Sequence, residues 1–433
     1  MSKKKAYRAI GVQDVSVESW LAGRPVGEVW VGVDVGKDEC MMVFRWQDGD
    51  FERPVRWGNP GQIPLAIECM RVFARRGWQV TVAMESSGTY GDAFRQALSD
   101  AGLEGHRVAG KATKDYAEVF DGVPSQHDGK DAAIVAELAA IGKSVPWAWQ
   151  TASPQDQDLR RHVEVMDVYQ QHWLEWTNRI EAWLARHWPE VGELLALGRV
   201  TLLELLRAYG SPQRLAGDPQ AAARMAGWGG RLLEPAKIAR VIASAGATLG
   251  VRPTEVDCQR VQLYAQEALA ALRKVQAHRN ALSRNGRHCP DVQLLAPALG
   301  SATACVLHVE AGDASTYRCG QAYQKALGLN LKERSSGRYK GHLKITKRGS
   351  ARARRWLYLA ALRMVRQDGT VSRWYARKVA RDGGLRKRAL VAIMRKMALG
   401  IHGCTRDGVP FDPGRLFGDS CVRTSKQAAL SGR

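Results

Sequence analysis

Hydrophobic and polar residues alternate with two different periods along the first 150 residues of the chain. Segments such as 28–35 (EVWVGVDV) alternate at every second position and are rich in β-branched side chains, which predicts strands. Segments such as 60–76 repeat their apolar residues every three to four positions, which predicts helices. The predicted strands are 28–35, 39–45, 51–57, 79–84 and 105–109, and the predicted helices are 60–76, 90–101 and 131–141. Only Gly36, Lys37 and Asp38 separate the first two strands, which requires a hairpin and predicts a mixed α/β domain built on an antiparallel meander.

From residue 151 onward the pattern is almost entirely helical. After a linker at 147–154, residues 156–195 repeat their apolar and tryptophan positions at intervals of three and four, which predicts a helical hairpin or a coiled-coil arm. The helical pattern continues towards the C-terminus, and a basic, glycine-containing segment at 328–350 interrupts it. The predicted organisation is an N-terminal extension (1–27), a mixed α/β domain (28–150), a helical arm or insert (151–290) and a basic, mainly helical domain (291–433).

Composition narrows the class of protein. Apolar residues make up 45% of the chain, which is enough for a sizeable core. No apolar run is long enough to span a bilayer, and no apolar segment follows the basic N-terminus as it would in a secretory signal. The eight cysteines form no CxxC pair, which argues against a zinc ribbon or a disulfide framework and is typical of free thiols in a reducing compartment. We therefore expect a cytoplasmic protein without a membrane partner.

The positive charge is concentrated in the last third of the chain. The net charge is +21, and residues 291–433 alone hold 28 basic and 9 acidic side chains. A field of this kind attracts a polyanion. Nucleic acid is the expected partner, and an anionic membrane surface is the alternative. The basic segment lacks the long amphipathic helix that a membrane surface would require.

Four carboxylates lie where a metal site would need them. Asp34 closes the first strand, Glu85 follows the strand 79–84, and Asp128 and Asp131 lie three residues apart at the start of a helix. Residues three apart share one face of a helix. Four crowded carboxylates repel one another and are stable as a set only with cations, and oxygen ligands select Mg²⁺ or Mn²⁺. Two such ions polarise a phosphodiester and activate its nucleophile.

Each of these acids also has an ordinary explanation. A single acid after a strand is usually a solvated turn residue, and an Asp pair at a helix start often only caps the helix. The order of Asp, Glu and D-x-x-D on these elements is far less expected by chance. We therefore interpret the four as a metal site.

A second group of chemically interesting residues lies in the basic segment 331–355. It holds ten basic residues against the single acid Glu333, a density that grips phosphates. Ser335 and Ser336 lie within it, and clustered guanidinium groups stabilise a phosphoryl transition state that a serine would need. From composition alone, a binding loop with ordinary serines is the simpler interpretation. The residues predicted to contact nucleic acid are Arg334, Arg338, Lys340, Lys344, Lys347, Arg348 and Arg354.

Together, the two groups resemble the DEDD-type transposases of bacterial insertion sequences, the insertion-sequence 110 family of recombinases guided by a bridge RNA. The first matching block covers about 28–145 and contains VGVDVGK, AMESSGTYG and the D-x-x-D-A motif. The second covers about 290–412 and includes LAPALGSATACVLHVEAGD, QAYQKALGLN and LRKRALVAIMRKMALGIHGC. The motifs occur in the order typical of the family, which makes the match specific.

The resemblance implies a fold, an activity and roles for particular residues. It implies a RuvC-like domain, related to RNase H, whose Asp34, Glu85, Asp128 and Asp131 hold Mg²⁺. It implies a C-terminal transposase domain whose nucleophile is Ser336, with Ser335 as its nearest rival. The serine would form a covalent link to DNA in a site shared between subunits of a tetramer, and the arm would serve assembly. Expected partners are double-stranded DNA at the element junction and target, and a guide RNA.

Two other functions remain open at this stage. In a Holliday-junction-type nuclease, a metal-activated water would attack the DNA and the serine would be irrelevant. In a non-catalytic nucleic-acid-binding regulator, the fold would persist without chemistry. The intact carboxylates argue against this regulator.

Overall fold

The structure is a computed structural model. It describes residues 8–86, 88–123, 127–147, 149, 153–333, 335–336, 339–341 and 343–418. The chain divides into two compact units, residues 1–151 and 152–433. The second unit contains both the predicted arm and the predicted basic domain, so the finer division into four segments stays a prediction.

A seven-stranded sheet forms the centre of the first unit. Its strands are β1 (Ile10–Gly11), β2 (Glu28–Val35), β3 (Glu39–Trp46), β4 (Val55–Gly58), β5 (Gln79–Glu85), β6 (Glu104–Val108) and β7 (Ser144–Pro146). Its helices are α1 (Val17–Leu21), α2 (Ile63–Arg75), α3 (Asp92–Asp100), α4 (Gly110–Asp121) and α5 (Asp128–Ala140). The strands lie in the order β1-β4-β3-β2-β5-β6-β7.

The strand pairing confirms the predicted mixed α/β fold. Strands β2, β3 and β4 form an antiparallel meander, and β2 then pairs in parallel with β5, which pairs in parallel with β6. The third strand was predicted at 51–57, but the ladder covers only Val55–Gly58, and Phe51 makes an isolated bridge to Arg45. Helix α4 was not predicted. Its buried residues Thr113 and Ala117 are joined by the half-buried Tyr116 and Phe120, which pack against the same core as Ala117, so a helical apolar pattern is present in its sequence.

Aromatic side chains fill the core on one face of this sheet. Phe44 and Trp46 on β3 pack against Phe73 of α2, with ring centroids 5.1 and 5.5 Å apart, and Trp78 closes the group. All four side chains are buried. Helix α5 packs against β2 and β3, and nine of its thirteen residues are buried.

The second unit is built mainly from helices. Those of the arm region are α6 (Pro154–His187), α7 (Val191–Leu194), α8 (Val200–Tyr209), α9 (Pro212–Ala216), α10 (Ala221–Gly229), α11 (Pro235–Gly246) and α12 (Glu255–Asn285). The later ones are α13 (Pro290–Leu299), α14 (Ser301–Ala311), α15 (Gly320–Ala326), α16 (Ala351–Gln367), α17 (Gly369–Arg381), α18 (Arg386–Arg406) and α19 (Pro413–Phe417).

The two longest helices, α6 and α12, run antiparallel along each other. Trp183 near the end of α6 donates to the Asp257 carbonyl at the start of α12, over 3.1 Å, and Lys274 reaches the Tyr169 hydroxyl, also over 3.1 Å. The predicted long helix therefore forms one side of a helical hairpin. One buried cluster lies at its far end, around Ile180, and the start of α6 packs into a separate core with α13 to α19.

The basic segment forms two short pairs of strands between α15 and α16. Strand β8 (Leu331–Lys332) pairs with β11 (Lys344–Ile345), and β9 (Ser335–Ser336) pairs with β10 (Tyr339–Lys340). Both pairs are antiparallel. Among the described residues, no helix is long and apolar enough to cross a bilayer.

Candidate functional site

The first two predicted carboxylates lie side by side at one edge of the sheet. Strands β2 and β5 are parallel, and their register pairs Val33 with Met84. Asp34 and Glu85 are the next residues on the two strands, so both follow the last paired position. Both are half-buried. The meander followed by a parallel strand thus produces this juxtaposition directly.

A glycine in β2 lets the third element approach. A β-carbon at Gly32 would overlap the carbonyl oxygen of Ala132 and the amide nitrogen of Ala136, both on α5. The helix backbone therefore lies directly on the strand, which only glycine permits. This contact brings the first turn of α5, with Asp128 and Asp131, towards the end of β2 that carries Asp34.

His127, just before Asp128, and Lys130, between Asp128 and Asp131, hold that first turn in place. The exposed His127 is its N-cap, and its Nδ1 accepts from the Lys130 amide over 3.1 Å. The Lys130 side chain is fully buried, and its Nζ donates to Asp121 Oδ1 over 2.7 Å and to the Val123 carbonyl over 2.5 Å. Lys130 thus ties α5 to the end of α4.

The electrostatics indicate that the four carboxylates act on one another. Burial, and then the charges of Asp128, Asp131 and Glu85, raise the pKa of Asp34 to about 6. The pKa of Asp131 is also raised, first by burial and then by Asp128 and Glu85. Clustered charges disfavour ionisation in the absence of a cation.

Glu85 lies against the start of α4. A β-carbon built on Gly110, the first residue of that helix, would be 2.6 Å from Glu85 Oε2. The positive end of a helix dipole favours a carboxylate in this position. Sequence reasoning missed this contact because it did not predict α4.

Asn59 also belongs to the site, although no sequence pattern predicted it. Its Nδ2 donates to the Gly36 carbonyl over 2.9 Å and to the Tyr90 carbonyl over 3.1 Å. Gly36 follows Asp34 in the chain, and Tyr90 belongs to the loop after Glu85. The amide therefore links the loops that follow the two strand-end carboxylates.

The oxygen atoms of the four carboxylates are spaced more widely than the ligands of a closed metal site. Among the described residues, a single set of three His, Cys, Asp or Glu side chains has its ligand atoms all within 4.8 Å of one another, and that set lies in the second unit. The acidic group of the first unit is therefore charge-coupled but wider than this spacing. All of its donors are carboxylate oxygens, which suits a hard divalent cation.

The predicted serines lie on strand β9 of the second unit. Register places Ser336 opposite Tyr339 and Ser335 opposite Lys340. The backbone of the two serines is described, but their side chains and that of Lys340 lie outside the described part. Arg334 and Arg338 also lie outside the described residues.

We call the segment from β8 to β11, residues 331–345, the serine hairpin, and contacts among the described residues hold its base. A β-carbon on Gly349, whose φ is 150°, would overlap the Ala326 carbonyl. Arg354 Nη1 donates to the carbonyls of Leu327 (3.1 Å) and Gly349 (2.8 Å), and Arg395 Nε donates to the Leu329 carbonyl over 3.1 Å. Both arginines therefore hold backbone at the foot of the hairpin.

The predicted phosphate-binding residues fall into two groups. Lys344, Lys347 and Arg348 are exposed, as contacts with nucleic acid require. Arg354 is half-buried and already donates to two carbonyls, which gives it a positioning role in addition to its predicted one.

Two family models, one relative and one solved structure match parts of this chain. A family model of DEDD transposases matches residues 31–189, and a second, described as transposase IS116/IS110/IS902 family, matches residues 295–376. An uncharacterized 42 kDa protein of insertion element IS900 from Mycobacterium paratuberculosis is 25% identical over 403 residues, covering 89% of this chain and 97% of that protein. Among solved structures, T. thermophilus RuvC in complex with Holliday junction substrate matches with 15% identity over 28% of this chain and 99% of RuvC, at a TM-score of 0.22.

The two matched segments carry the carboxylates and the serine hairpin, and they define a transposase, an enzyme that cuts and rejoins DNA. The chain belongs to the IS110 family of insertion-sequence transposases.

Replacing Gly32 with alanine is expected to damage the site from within the fold. The new methyl group must push α5 away from β2, at a cost of about 1–3 kcal/mol for overpacking. We expect the melting temperature of the first unit to fall by several degrees and DNA cleavage to fall with it, measured by calorimetry and a cleavage assay. Gly61→Ala is the matched control, because its β-carbon meets nothing within 4 Å. Equal melting temperatures of the two variants would contradict the packing argument.

Proposed function

We propose that the chain recombines DNA through two chemical centres. One is a cation site formed by Asp34, Glu85, Asp128 and Asp131, and the other is a nucleophilic serine, Ser336. The observation that carries the proposal is the crowding of three other carboxylates around the half-buried Asp34. Burial, and then the charges of Asp128, Asp131 and Glu85, raise the pKa of Asp34 to about 6. Such crowding stabilises nothing by itself and is typical of a site that binds a counter-charge.

The donor set supports Mg²⁺, or Mn²⁺, as the cation. All four predicted ligands are carboxylates, and none is a thiol or an imidazole. When bound, the cation supplies charge stabilisation to a phosphodiester and lowers the pKa of an attacking group. The residues of the chain orient it: Gly32 and Lys130 place α5, and Asn59 links the two loops.

The proposed serine step conserves the phosphodiester bond energy. The Ser336 Oγ attacks a DNA phosphorus and loses its proton, the new Oγ–P bond forms, and the P–O bond to one deoxyribose breaks. The departing deoxyribose oxygen takes up a proton. In the reverse direction, a hydroxyl of an exchanged strand attacks the phosphoserine and releases the serine. Exposed Lys344, Lys347 and Arg348 support this role by offering charge to phosphates.

The proposed partners follow from charge and from the family resemblance. Double-stranded DNA at the element junction and at the target is the substrate, and the net positive charge of residues 291–433 favours it. We also propose a guide RNA and a tetramer, in which the carboxylates of one subunit act with the serine of another. Arg334, Arg338, Lys340 and Arg354 complete the proposed nucleic-acid contacts.

Covalent capture tests the proposal directly. The protein is incubated with RNA from its own element, junction DNA and Mg²⁺, then denatured, and DNA-linked peptides are mapped by mass spectrometry. We expect an adduct on Ser336. Mg²⁺-dependent cuts without any adduct would instead indicate a water-using nuclease of the Holliday-junction type. Binding with neither cuts nor adduct would indicate a non-catalytic regulator.

A further inference from the structure

A group of three potential metal ligands lies in the second unit, on residues that the proposed recombination does not use. The ligand atoms of Asp156, Cys289 and His308 all lie within 4.8 Å of one another. Asp156 is in the first turn of α6, Cys289 is the N-cap of α13, and His308 is in the last turn of α14. The fold therefore brings together three side chains that are far apart in the sequence.

The histidine is already oriented as a metal-binding histidine would be. Its Nδ1 lies 2.9 Å from Asp291 Oδ2, and Asp291 is only 4% exposed. Its Nε2 faces Asp156 Oδ1 at 3.2 Å. A buried carboxylate that accepts from one ring nitrogen fixes the tautomer and leaves the other nitrogen for a metal, the arrangement that commonly surrounds zinc-bound histidines.

We propose that Asp156, Cys289 and His308 form a zinc-binding site supported by Asp291. A thiolate, an imidazole and a carboxylate suit Zn²⁺, whereas Mg²⁺ prefers oxygen alone. Zinc bond lengths place tetrahedral ligand atoms about 3.4 Å apart, so the observed spacing needs only small side-chain movements. The three side chains line a cleft of about 450 Å³ that also includes His288, which leaves space for a fourth ligand.

The proposed ion would act as a structural clip. It would join the first turn of the long helix α6 to the two helices α13 and α14 of the basic domain. Without metal, the His308 ring lies between Asp291 and Asp156, within hydrogen-bond distance of both carboxylates. Zinc would take the place of the contact between His308 and Asp156 and add a bond to the Cys289 sulfur.

Cobalt substitution of the full-length protein tests the site. Metal is removed with a chelator and Co²⁺ is added, because Co²⁺ bound to a thiolate gives a sulfur-to-metal absorption band that carboxylate-bound Co²⁺ lacks. We expect a saturable band in the wild type that Zn²⁺ abolishes by competition. Asp291→Asn should weaken Co²⁺ binding by about 10–100-fold, the usual effect of losing such a supporting carboxylate.

Cysteine variants separate this site from adventitious binding. Cys289→Ser should lose the band. Cys319→Ser should keep it, because Cys319, the most exposed of the described cysteines, is not one of the three proposed ligands. Zinc should also raise the melting temperature of the wild type and of Cys319→Ser but not that of His308→Asn. A wild type without the band, or a band that survives in Cys289→Ser, would overturn the proposal. A band lost in Cys319→Ser would also overturn it.

Discussion

Ser336→Ala is expected to abolish strand exchange while leaving nucleic-acid binding nearly intact. Removal of an enzymatic nucleophile lowers the rate by roughly 10⁴-fold or more. The covalent protein–DNA species should disappear at the same time. The measurements are a strand-exchange assay on junction DNA and a binding titration, both at one fixed salt concentration, because phosphate contacts make affinity salt-dependent.

Ser335→Ala is the matched control for this variant. The two serines are neighbours on β9, and register pairs Ser335 with Lys340 and Ser336 with Tyr339. Adjacent residues of a strand alternate between its two faces, so we expect only one of the two serines to supply the nucleophile. Full recombination by Ser336→Ala, with Ser335 also removed, would refute the assignment. Loss of activity in Ser335→Ala alone would move the nucleophile to Ser335.

The hairpin itself is expected to fold normally in both variants. Its foot is held by Arg354, Arg395 and the close passage of Gly349 over Ala326, and none of these contacts involves a serine hydroxyl. A loss of activity would therefore report on chemistry and not on unfolding. The same reasoning makes Arg354 a poor choice for testing phosphate contacts, because its replacement would also release the carbonyls that it holds.

The strand-end carboxylates could be predicted because their spacing depends on the backbone alone. A parallel pair such as β2 and β5 always brings its carboxyl ends to one edge, so Asp34 and Glu85 needed only a correct assignment of two strands. The contact through Gly32 could not be predicted, since a glycine within a strand has no sequence pattern that names its partner. Lys130 was equally hidden, because a lysine between two aspartates is normally solvated, whereas here it is fully buried.

For the serine hairpin, the chemistry could be predicted from the sequence but the backbone structure could not. Its sequence predicted a basic segment with candidate nucleophiles. The strands β8 to β11 have only two residues each, which is too short for a periodic hydrophobic pattern. Their pairing depends on where α15 ends and α16 begins. Helix α4 was also not predicted, and with it the contact between Glu85 and Gly110.

Asp34→Asn is expected to stop DNA cleavage, and removal of divalent metal from the wild type should do the same. Asp34 is the carboxylate on which the charges of the other three converge, so its loss removes the central donor of the proposed cation site. We expect a decrease of at least about 10³-fold in cleavage of junction DNA, comparable with the loss of other electrostatic catalytic groups. Asp100→Asn, at an exposed helix end, is the control and should cleave normally.

Asp34→Asn should also be more stable than the wild type when metal is absent. The pKa of Asp34 is raised from 3.8 to about 6 in the fold, so the folded state binds the proton more tightly than the unfolded chain does. The stability of the metal-free protein therefore falls as pH rises from about 4 to 6, and the penalty persists at neutral pH. A neutral amide avoids it, and we expect Asp34→Asn to melt roughly 2–4 °C higher at pH 7, the shift that about 1 kcal/mol produces.

Calorimetry at two pH values separates this effect from a general gain in stability. At pH 4, where Asp34 is protonated in the metal-free fold, the difference between variant and wild type should shrink towards zero. Saturating Mg²⁺ at pH 7 should raise the melting temperature of the wild type alone. A variant that still cleaves with metal present, or a wild type that cleaves in a chelator, would remove the carboxylates from the chemistry. A less stable Asp34→Asn would show that the carboxylate is held by favourable contacts, and the crowding argument for a cation would then fail.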